Sequence, residues 1–252
     1  MKVGLVQYSP EWESVDKNIE KLNGLLKYCT EESLLIFPEM TLTGFTMHSK
    51  QFAEEIDGKG FLYFIKKAAE LKKNIFAGII EKDDGKIFNS LIHFDDKGLI
   101  TARYRKIHLF SMSGENKYYN PGKETVVTKI GKVKIGLSVC YDLRFPELYR
   151  FYAKEKTEII IDIANWPVQR IEHWKHLLKS RAIENQCFVI GVNRTGNDPF
   201  HRYNGCSAVY DPAGTEIFLA NDDENIFSVE LNMEKVAEVR NELPFLDDIK
   251  LI

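Results

Sequence analysis

Short apolar runs of strand length alternate with helical patterns along most of this chain, and this alternation limits the fold more than any other feature. Strand-like runs lie at residues 3–7, 34–37, 75–80, 90–94, 133–139, 158–163 and 187–193, and helical patterns at 15–28, 60–72, 146–154 and 168–185. Such alternation predicts an α/β fold. Strand-like runs at 207–210, 215–219 and 226–231, joined by turn signals, predict antiparallel strands that complete a sheet.

Nothing in the sequence divides the chain into modules. It contains no linker, low-complexity tract or repeat with a fixed period. Layered α/β folds reach 252 residues as one unit, so we predict a single domain over residues 1–252. The weakly patterned stretch at 110–123 is long for a loop in a compact fold, which favours a functional role.

Composition and charge narrow the class of partner. Hydrophobic residues make up 44% of the chain and charged residues 28%, typical of a globular protein. A formal net charge of -3 gives no general attraction to nucleic acid or anionic lipid. We find no signal-peptide core and no apolar run near the roughly 20 residues that span a bilayer. We therefore expect a cytoplasmic protein that acts on a small molecule and binds neither nucleic acid nor membrane.

The four cysteines offer one candidate nucleophile. They form no CxxC pair, so a disulfide scaffold or zinc site is not indicated and we expect reduced thiols. Cys140 ends an apolar strand and precedes a helix that opens near Pro146. Ligands collect at such strand ends, and helix N-termini or basic groups lower a thiol pKa. The alternative is a buried structural cysteine, the reading we favour for Cys29, Cys187 and Cys206.

Two charged residues also close apolar strands. Glu39 follows the run 34–38, where desolvation is expected to raise its pKa towards that of a useful base. Lys106 follows the run 99–105 and is expected at the same rim. Each also has an ordinary explanation, as an exposed or helix-capping acid and as a solvated cation. Together with Cys140 they are the parts required for acyl transfer.

A cysteine protease with a Cys/His pair is a competing hypothesis. The chain has six histidines, but the sequence pairs none of them with Cys140. Such a protease would also leave Glu39 and Lys106 without a role.

Three segments together resemble the signature of the nitrilase, or carbon-nitrogen hydrolase, superfamily. They are residues 37–39, 104–110 and 140–146, and the resemblance extends from residues 3–7 to 164–167 and 181–186. It implies a four-layer αββα sandwich, association into a homodimer, and catalysis without a metal or organic cofactor. It also implies that Cys140 attacks an amide carbonyl, that Glu39 is the general base and that Lys106 stabilises the oxyanion with the backbone amide after the nucleophile.

A second glutamate often accompanies the catalytic set in this superfamily, where it orients the lysine or the substrate. Glu115 is the better match and Glu124 the alternative.

The segments are most similar to the ω-amidase branch, whose members hydrolyse 2-oxoglutaramate and 2-oxosuccinamate. Such a substrate carries a carboxylate, for which Arg144 is our candidate partner, unless it pairs with Asp142 or Glu147. We assign further substrate-binding or wall positions to residues in or near the signature segments: Tyr141, Asn165, Trp166, Phe45 and Tyr118. Other amides, nitriles or carbamoylated amines are alternative substrates, and a non-catalytic binding protein is the alternative outside enzymes.

Overall fold

Two six-stranded sheets form the centre of the structure, a computed structural model that describes residues 1–29 and 31–251. Residues 30 and 252 of the predicted domain lie outside the described residues. The first sheet has the order β14-β1-β2-β3-β4-β5. Its strands are β1 (Lys2–Gln7), β2 (Leu34–Ile36), β3 (Asn74–Asp83), β4 (Lys86–Phe94), β5 (Ile100–Arg105) and β14 (Asn225–Glu230).

The second sheet has the order β13-β12-β9-β8-β7-β6. Its strands are β6 (Val127–Ile130), β7 (Val133–Val139), β8 (Ile159–Ala164), β9 (Phe188–Asn193), β12 (Ala208–Tyr210) and β13 (Glu216–Leu219). A short ribbon pairs β10 (Thr195–Asn197) with β11 (Arg202–Asn204). The C-terminal strands β12, β13 and β14 pair antiparallel with their neighbours, as predicted.

Helices cover the outer face of each sheet. They are α1 (Val15–Leu25), α2 (Ser49–Phe52), α3 (Lys59–Leu71), α4 (Glu115–Tyr118), α5 (Pro146–Lys154), α6 (Ile171–Asn185) and α7 (Glu234–Glu242). Among these, α1 and α3 pack on the first sheet, and α5 and α6 on the second. No helix in the described part of the chain is long and apolar enough to cross a membrane.

Side-chain alternation in the strands builds the layers. In β2, Leu34 and Ile36 point into the core between the sheets, whereas Leu35 points towards the helices. The period of two in a strand sends neighbouring side chains to opposite faces, so an all-apolar strand is buried on both sides. The result is the αββα sandwich that the resemblance implied, and this prediction is confirmed.

Strand direction decides where the functional groups lie. β1, β2 and β3 are parallel, β4 reverses, and β5 runs in the same direction as β3 again. In the second sheet β7, β8 and β9 are parallel. The carboxyl ends of β2, β5, β7 and β8 therefore face the same edge of the sandwich.

Some elements differ from the sequence prediction. The predicted strands at 75–80 and 90–94 are longer and form a hairpin through Asp84 and Gly85, both with positive φ. The stretch 110–123 contains a 3₁₀ turn, Ser111–Ser113, followed by α4. The sequence did not predict β6 or α7, which are short elements with polar residues among the apolar ones.

Candidate active site

Four predicted site residues meet at one edge of the sandwich. Glu39 lies just beyond β2, and Lys106, Cys140 and Asn165 directly follow β5, β7 and β8. They are distant in sequence but close in space because these strands end at the same edge. The structure thus brings together the acid, the cation and the thiol that were inferred from separate strand ends.

Lys106 is fully buried between two carboxylates. Its Nζ lies 2.8 Å from Glu39 Oε1 and 3.0 Å from Glu115 Oε2. The side-chain amide of Asn89 donates to both carboxylates, at 2.7 Å to Glu39 and 2.8 Å to Glu115. Glu39, Asn89, Lys106 and Glu115 are called the charge cluster below. One ammonium in this cluster faces two carboxylates, away from solvent.

The second glutamate reaches the cluster from the loop that the sequence marked as functional. Glu115 begins α4, and its Oε2 accepts the Phe110 N–H at 2.6 Å. The alternative candidate, Glu124, is exposed and lines a different pocket beside Arg105. Of the two glutamates, Glu115 has the geometry to orient Lys106.

The shared ammonium gives the two carboxyls different pKa values. Burial raises the pKa of Glu39, but Lys106 and hydrogen bonds from Asn89 and Asn165 outweigh burial and hold that pKa below its ordinary value. For Glu115, burial and the nearby Glu39 charge prevail over Lys106 and raise the pKa. The prediction of a raised pKa for Glu39 is therefore wrong: desolvation does raise it, but the ion pair inside the same desolvated site lowers it further. Burial lowers the pKa of Lys106, but the two carboxylates raise it well above its ordinary value.

Asn165 holds the other side of Glu39. Its backbone N–H donates to Glu39 Oε2 at 2.9 Å, and its side-chain amide donates to the Glu39 carbonyl oxygen at 2.7 Å. These bonds connect the end of β8 in the second sheet to the segment after β2 in the first. The carboxylate of Glu39 is fixed from both sheets.

Cys140 lies at a sharp corner between β7 and α5, as predicted. Its φ of 52° is in the left-handed region, which non-glycine residues rarely adopt. The Cys140 N–H donates to Asp162 Oδ1 at 2.9 Å, and the Val139 N–H donates to Asp142 Oδ2 at 3.1 Å. Two fully buried carboxylates therefore hold consecutive backbone amides at this corner.

Further hydrogen bonds fix those two carboxylates. Asp162 Oδ2 accepts from the Ser138 hydroxyl at 2.7 Å and from the Tyr149 hydroxyl at 2.8 Å. Asp142 accepts from the Tyr104 hydroxyl at 2.7 Å. Ser138, Asp142, Tyr149 and Asp162 are called the turn cluster below.

The pKa of the Cys140 thiol is raised, not lowered. Burial and the Glu39 carboxylate raise its pKa well above the ordinary value, and the opposing effect of Lys106 does not compensate. The expected lowering of this pKa is therefore wrong. Attack by Cys140 requires a base to take its proton, since the thiolate is the reactive form.

A cavity of about 380 Å³ opens in front of these residues. Lys106, Cys140 and all four predicted substrate-binding residues line it: Tyr141, Arg144, Asn165 and Trp166. Phe45 also lines it, with its ring 5.4 Å from Lys106 Nζ. The expectation for Tyr118 is wrong, because this side chain is 51% exposed on α4 and does not line the cavity.

Two histidines at or near the cavity, His48 and His108, have carboxylate partners. His48 Nδ1 lies 2.7 Å from Glu13 Oε1, and His108 Nδ1 lies 2.8 Å from Asp142 Oδ1. The Cys/His alternative therefore gains no support from the geometry, which instead places Lys106 and Glu39 behind Cys140.

Comparison with known proteins identifies the family. The sequence model described as "Carbon-nitrogen hydrolase" matches residues 2–241. The chain belongs to the carbon-nitrogen hydrolase family. The family prediction from the three segments is confirmed.

Individual relatives cover almost the whole chain. A 2-oxoglutaramate amidase from Bacillus subtilis is 32% identical over 98% of this chain and 97% of its own. One from Paenarthrobacter nicotinovorans is 34% identical over 94% of this chain and 84% of its own. Among solved structures, a CN-hydrolase superfamily protein from Xanthomonas campestris, with an arsenic adduct in its active site, has a TM-score of 0.95 and 31% identity, covering 100% of this chain and 98% of that one.

Within residues 1–29 and 31–251, Arg144 of this hydrolase forms no ion pair with an acid. Its guanidinium lies 4.7 Å from the Trp166 ring centre, and its Nη1 lies 3.3 Å from His173 Nδ1. The alternative pairing with Asp142 or Glu147 is wrong: over residues 1–29 and 31–251 neither forms an ion pair with Arg144. The side chain is half-buried at the cavity, with its charge unmatched.

Sequence reasoning missed three residues of this site. Asn89 bridges the two glutamates, Asp162 holds the nucleophile amide, and Arg170 lines the cavity beside Arg144. A signal existed for Asp162, which is the one charged residue in the apolar run Ile159–Ala164. A carboxylate inside a fully buried strand is rare unless hydrogen bonds satisfy it.

Proposed function

We propose that this carbon-nitrogen hydrolase cleaves the ω-amide of a small 2-oxo acid through a Cys140 thioester. The observation that carries the proposal is the charge cluster, with Lys106 fixed between Glu39 and Glu115 at the wall of the cavity that Cys140 also lines. Acyl transfer needs a nucleophile, a base and a fixed positive charge near the developing oxyanion, and this site holds all three.

In the first half-reaction the Cys140 sulfur forms a bond to the amide carbon while Glu39 accepts the thiol proton. The pKa of the thiol is raised and that of Glu39 is lowered, so proton transfer by itself is unfavourable. The proton therefore leaves during the attack, as negative charge moves onto the substrate oxygen. Lys106 and the backbone amide of Tyr141 stabilise that oxygen. Glu39 then gives its proton to the nitrogen, the carbon–nitrogen bond breaks, and ammonia and a thioester result.

In the second half-reaction Glu39 removes a proton from water, which attacks the thioester carbon. The carbon–sulfur bond breaks, the sulfur regains a proton, and the carboxylic acid leaves. Glu39 thus takes up a proton at the start of each half-reaction and gives it up again, which suits a base that accepts hydrogen bonds from both sheets. Glu115 acts as a positioning residue that keeps Lys106 charged and aimed.

Two observations support the proposed substrate class. The relatives from Bacillus subtilis and Paenarthrobacter nicotinovorans are named 2-oxoglutaramate amidases. The half-buried, unmatched Arg144 supplies a cation in the cavity for a carboxylate, and guanidinium binds carboxylate in a bidentate fashion. We therefore propose 2-oxoglutaramate or 2-oxosuccinamate as substrate.

A larger amide or carbamoylated amine is the second candidate. The cavity of about 380 Å³ lies in the range of sites for drug-sized ligands, roughly 300–1,000 Å³. Trp12, Met47 and Phe200 also line it, so the cavity offers apolar contacts besides its catalytic residues.

Ammonia release from 2-oxoglutaramate is the decisive measurement, with glutamine, asparagine and a simple nitrile in parallel. We expect preferential turnover of the 2-oxo amide that disappears in Cys140→Ala. Turnover of the nitrile or a larger amide instead would favour the second candidate, and full activity of Cys140→Ala would refute the thioester.

We also propose a homodimer in the cytoplasm, with residues 1–252 acting as one domain. The four cysteines are free thiols, as expected in a reducing compartment. Phe151 of α5 and Ile183 of α6 are 47% and 44% exposed, so each of these helices presents one large apolar side chain on its outer side. Analytical ultracentrifugation tests the dimer, and a monomer at micromolar concentration would contradict it.

A further inference from the structure

The positive charges around the cavity are not all balanced by the protein. Lys106, Arg144 and Arg170 line the cavity. Lys106 is balanced by the two glutamates of the charge cluster. Neither arginine forms an ion pair with an acid in the described residues, 1–29 and 31–251.

The cavity also contains acids, but these are already engaged. Glu13 accepts from the Thr46 hydroxyl and lies 2.7 Å from His48 Nδ1. Asp198 accepts the backbone N–H of His201 at 2.7 Å, and the Tyr203 hydroxyl also donates to it. Among the described residues, the ion pairs of Glu13 and Asp198 are with His48 and His201, and neither carboxylate forms an ion pair with Arg144 or Arg170.

Both arginines are tied to the same aromatic residue, Trp166. The Arg144 guanidinium lies 4.7 Å from the Trp166 ring centre, and the Trp166 indole N–H donates to the Arg170 carbonyl oxygen at 2.7 Å. Arg170 also lies over the Phe110 ring, at 5.5 Å. Stacking on aromatic rings orients a guanidinium while its N–H donors stay available for a ligand.

The two charges are close enough to repel each other. Burial and the Arg170 charge lower the pKa of Arg144. Two like charges at a half-buried wall are unfavourable without an anion, so their pairing here points to an anionic ligand group.

We propose that Arg144 and Arg170 together form a clamp for the 2-oxo carboxylate end of the substrate. This rests on the proposed function and extends it, because it adds Arg170 and assigns the selectivity between substrates. Five N–H donors on each guanidinium are enough to bind both carboxylate oxygens and the 2-oxo oxygen. The clamp places the ω-amide at the other end of the molecule, towards Cys140.

The clamp also explains how the enzyme would reject 2-amino acids. Glutamine carries the same ω-amide and carboxylate, but it has an ammonium where the 2-oxo acid has a carbonyl oxygen. That ammonium would lie against two guanidinium groups, and like-charge contact in a half-buried site is costly. A 2-oxo group accepts hydrogen bonds there instead.

Kinetics with matched substrates test the clamp. The variants are Arg170→Gln, Arg144→Gln and the double change, with Arg202→Gln as control, because Arg202 is exposed on β11 and does not line the cavity. The substrates are 2-oxoglutaramate and 4-oxopentanamide, which keeps the amide and the oxo group but lacks the carboxylate. We expect each clamp variant to lower kcat/KM for 2-oxoglutaramate by about 10- to 100-fold, chiefly through KM, and to lower it much less for 4-oxopentanamide, which loses only the bond to its oxo group.

The outcomes separate the clamp from the proposed function. Equal losses on both substrates would make Arg170 structural and overturn the clamp, as would unchanged kcat/KM in Arg170→Gln. Glutamine turnover should rise relative to 2-oxoglutaramate in the double variant. Thermal unfolding of each variant checks that the fold is retained.

Calorimetry with 2-oxopentanoate gives a readout that needs no catalysis. This probe carries the 2-oxo carboxylate and no amide, and we expect it to bind the unchanged protein and to bind Arg170→Gln at least tenfold more weakly. If neither amide is hydrolysed but this difference appears, the clamp stands and the amidase proposal fails. If the unchanged protein does not bind 2-oxopentanoate, the clamp is overturned whether or not amides are hydrolysed.

Discussion

Two buried clusters of carboxylates lie behind Cys140, and they do different work. The charge cluster surrounds an ammonium, so its carboxylates balance a charge. The turn cluster contains no lysine or arginine, and its carboxylates accept hydrogen bonds from backbone amides and hydroxyl groups; His108 Nδ1 also lies 2.8 Å from Asp142 Oδ1. Similar groups at similar depth therefore balance a charge in one cluster and hold backbone amides in the other.

The difference predicts how each cluster tolerates a neutral replacement. A carboxylate that acts through charge or proton transfer cannot be replaced by its amide. A carboxylate that acts as an acceptor keeps part of its role as an amide, since the amide oxygen still accepts a hydrogen bond. Amide substitutions should therefore be severe in the charge cluster and mild in the turn cluster.

The largest effect is expected for Glu39→Gln. Glutamine fills the same space and keeps an acceptor for Asn165, but it cannot take the thiol proton. We expect kcat to fall by about 10²- to 10⁴-fold. Ammonia release measures kcat, with Glu54→Gln as control, because Glu54 does not line the cavity and its carboxylate accepts the backbone N–H of Gly60. Activity close to that of the unchanged enzyme would remove Glu39 from the mechanism.

Lys106→Met should cost both activity and stability. Loss of the ammonium removes the oxyanion charge, for about a 10²- to 10³-fold loss in kcat. It also leaves Glu39 and Glu115 buried without a cation, which costs about 3–5 kcal/mol in the free energy of unfolding. Urea unfolding measures that cost. Lys82→Met removes an exposed pair with Glu55, for which we expect a change below about 1 kcal/mol.

The stability cost of Lys106→Met also has a pH dependence that checks its cause. Lowering the pH protonates the stranded carboxyls, so the deficit should shrink as the pH falls. A deficit that is the same at all pH values would indicate a packing defect instead.

Glu115→Gln should have an intermediate effect. We expect kcat to fall about tenfold, since Lys106 keeps Glu39 as partner but is less firmly held. The like charge that opposes ionisation of Glu39 is also removed, so the acidic limb of the kcat/KM profile should move to lower pH. Glu124→Gln should change neither quantity. A reversed pattern would make Glu124 the second glutamate.

Local pattern predicted the α/β alternation and the strand-end residues, whereas the four-layer arrangement was implied by the family resemblance of three segments. The all-apolar runs Leu34–Ile36 and Ile159–Ala164 have the length and composition of strands buried on both faces. Such strands end at a common edge, so the polar residues that follow them are expected to meet. Strands at the sheet edges were harder to predict: β6 is a four-residue edge strand whose burial pattern does not alternate.

The sequence did not predict quantities that depend on tertiary neighbours. The pKa of Glu39 is lowered because Lys106 and Asn89 come from other strands, and no local pattern contains them. Asn89 looks like an ordinary strand residue until its two glutamate partners are visible. Arg170 could not be recognised as a cavity residue until the structure placed it beside Arg144 and Trp166. Geometry between elements, rather than residue type, supplies this part of the site.

Asp162→Asn should have the smallest effect on activity. Its main effect should be on how the free energy of unfolding depends on pH. Burial raises the pKa of Asp162 from 3.8 to about 8, despite the hydrogen bonds that it accepts. Between those pH values the folded state binds a proton that the unfolded state does not, so stability falls as pH rises, by up to about 1.4 kcal/mol per unit. Asp162→Asn lacks this group, so its free energy of unfolding should depend less on pH between about pH 5 and 8.

Asp162→Ala removes the acceptor for the Cys140 N–H and should lower kcat further than Asp162→Asn does. If alanine and asparagine behaved alike, the turn cluster would not be acting through that hydrogen bond, and the contrast between the clusters would fail.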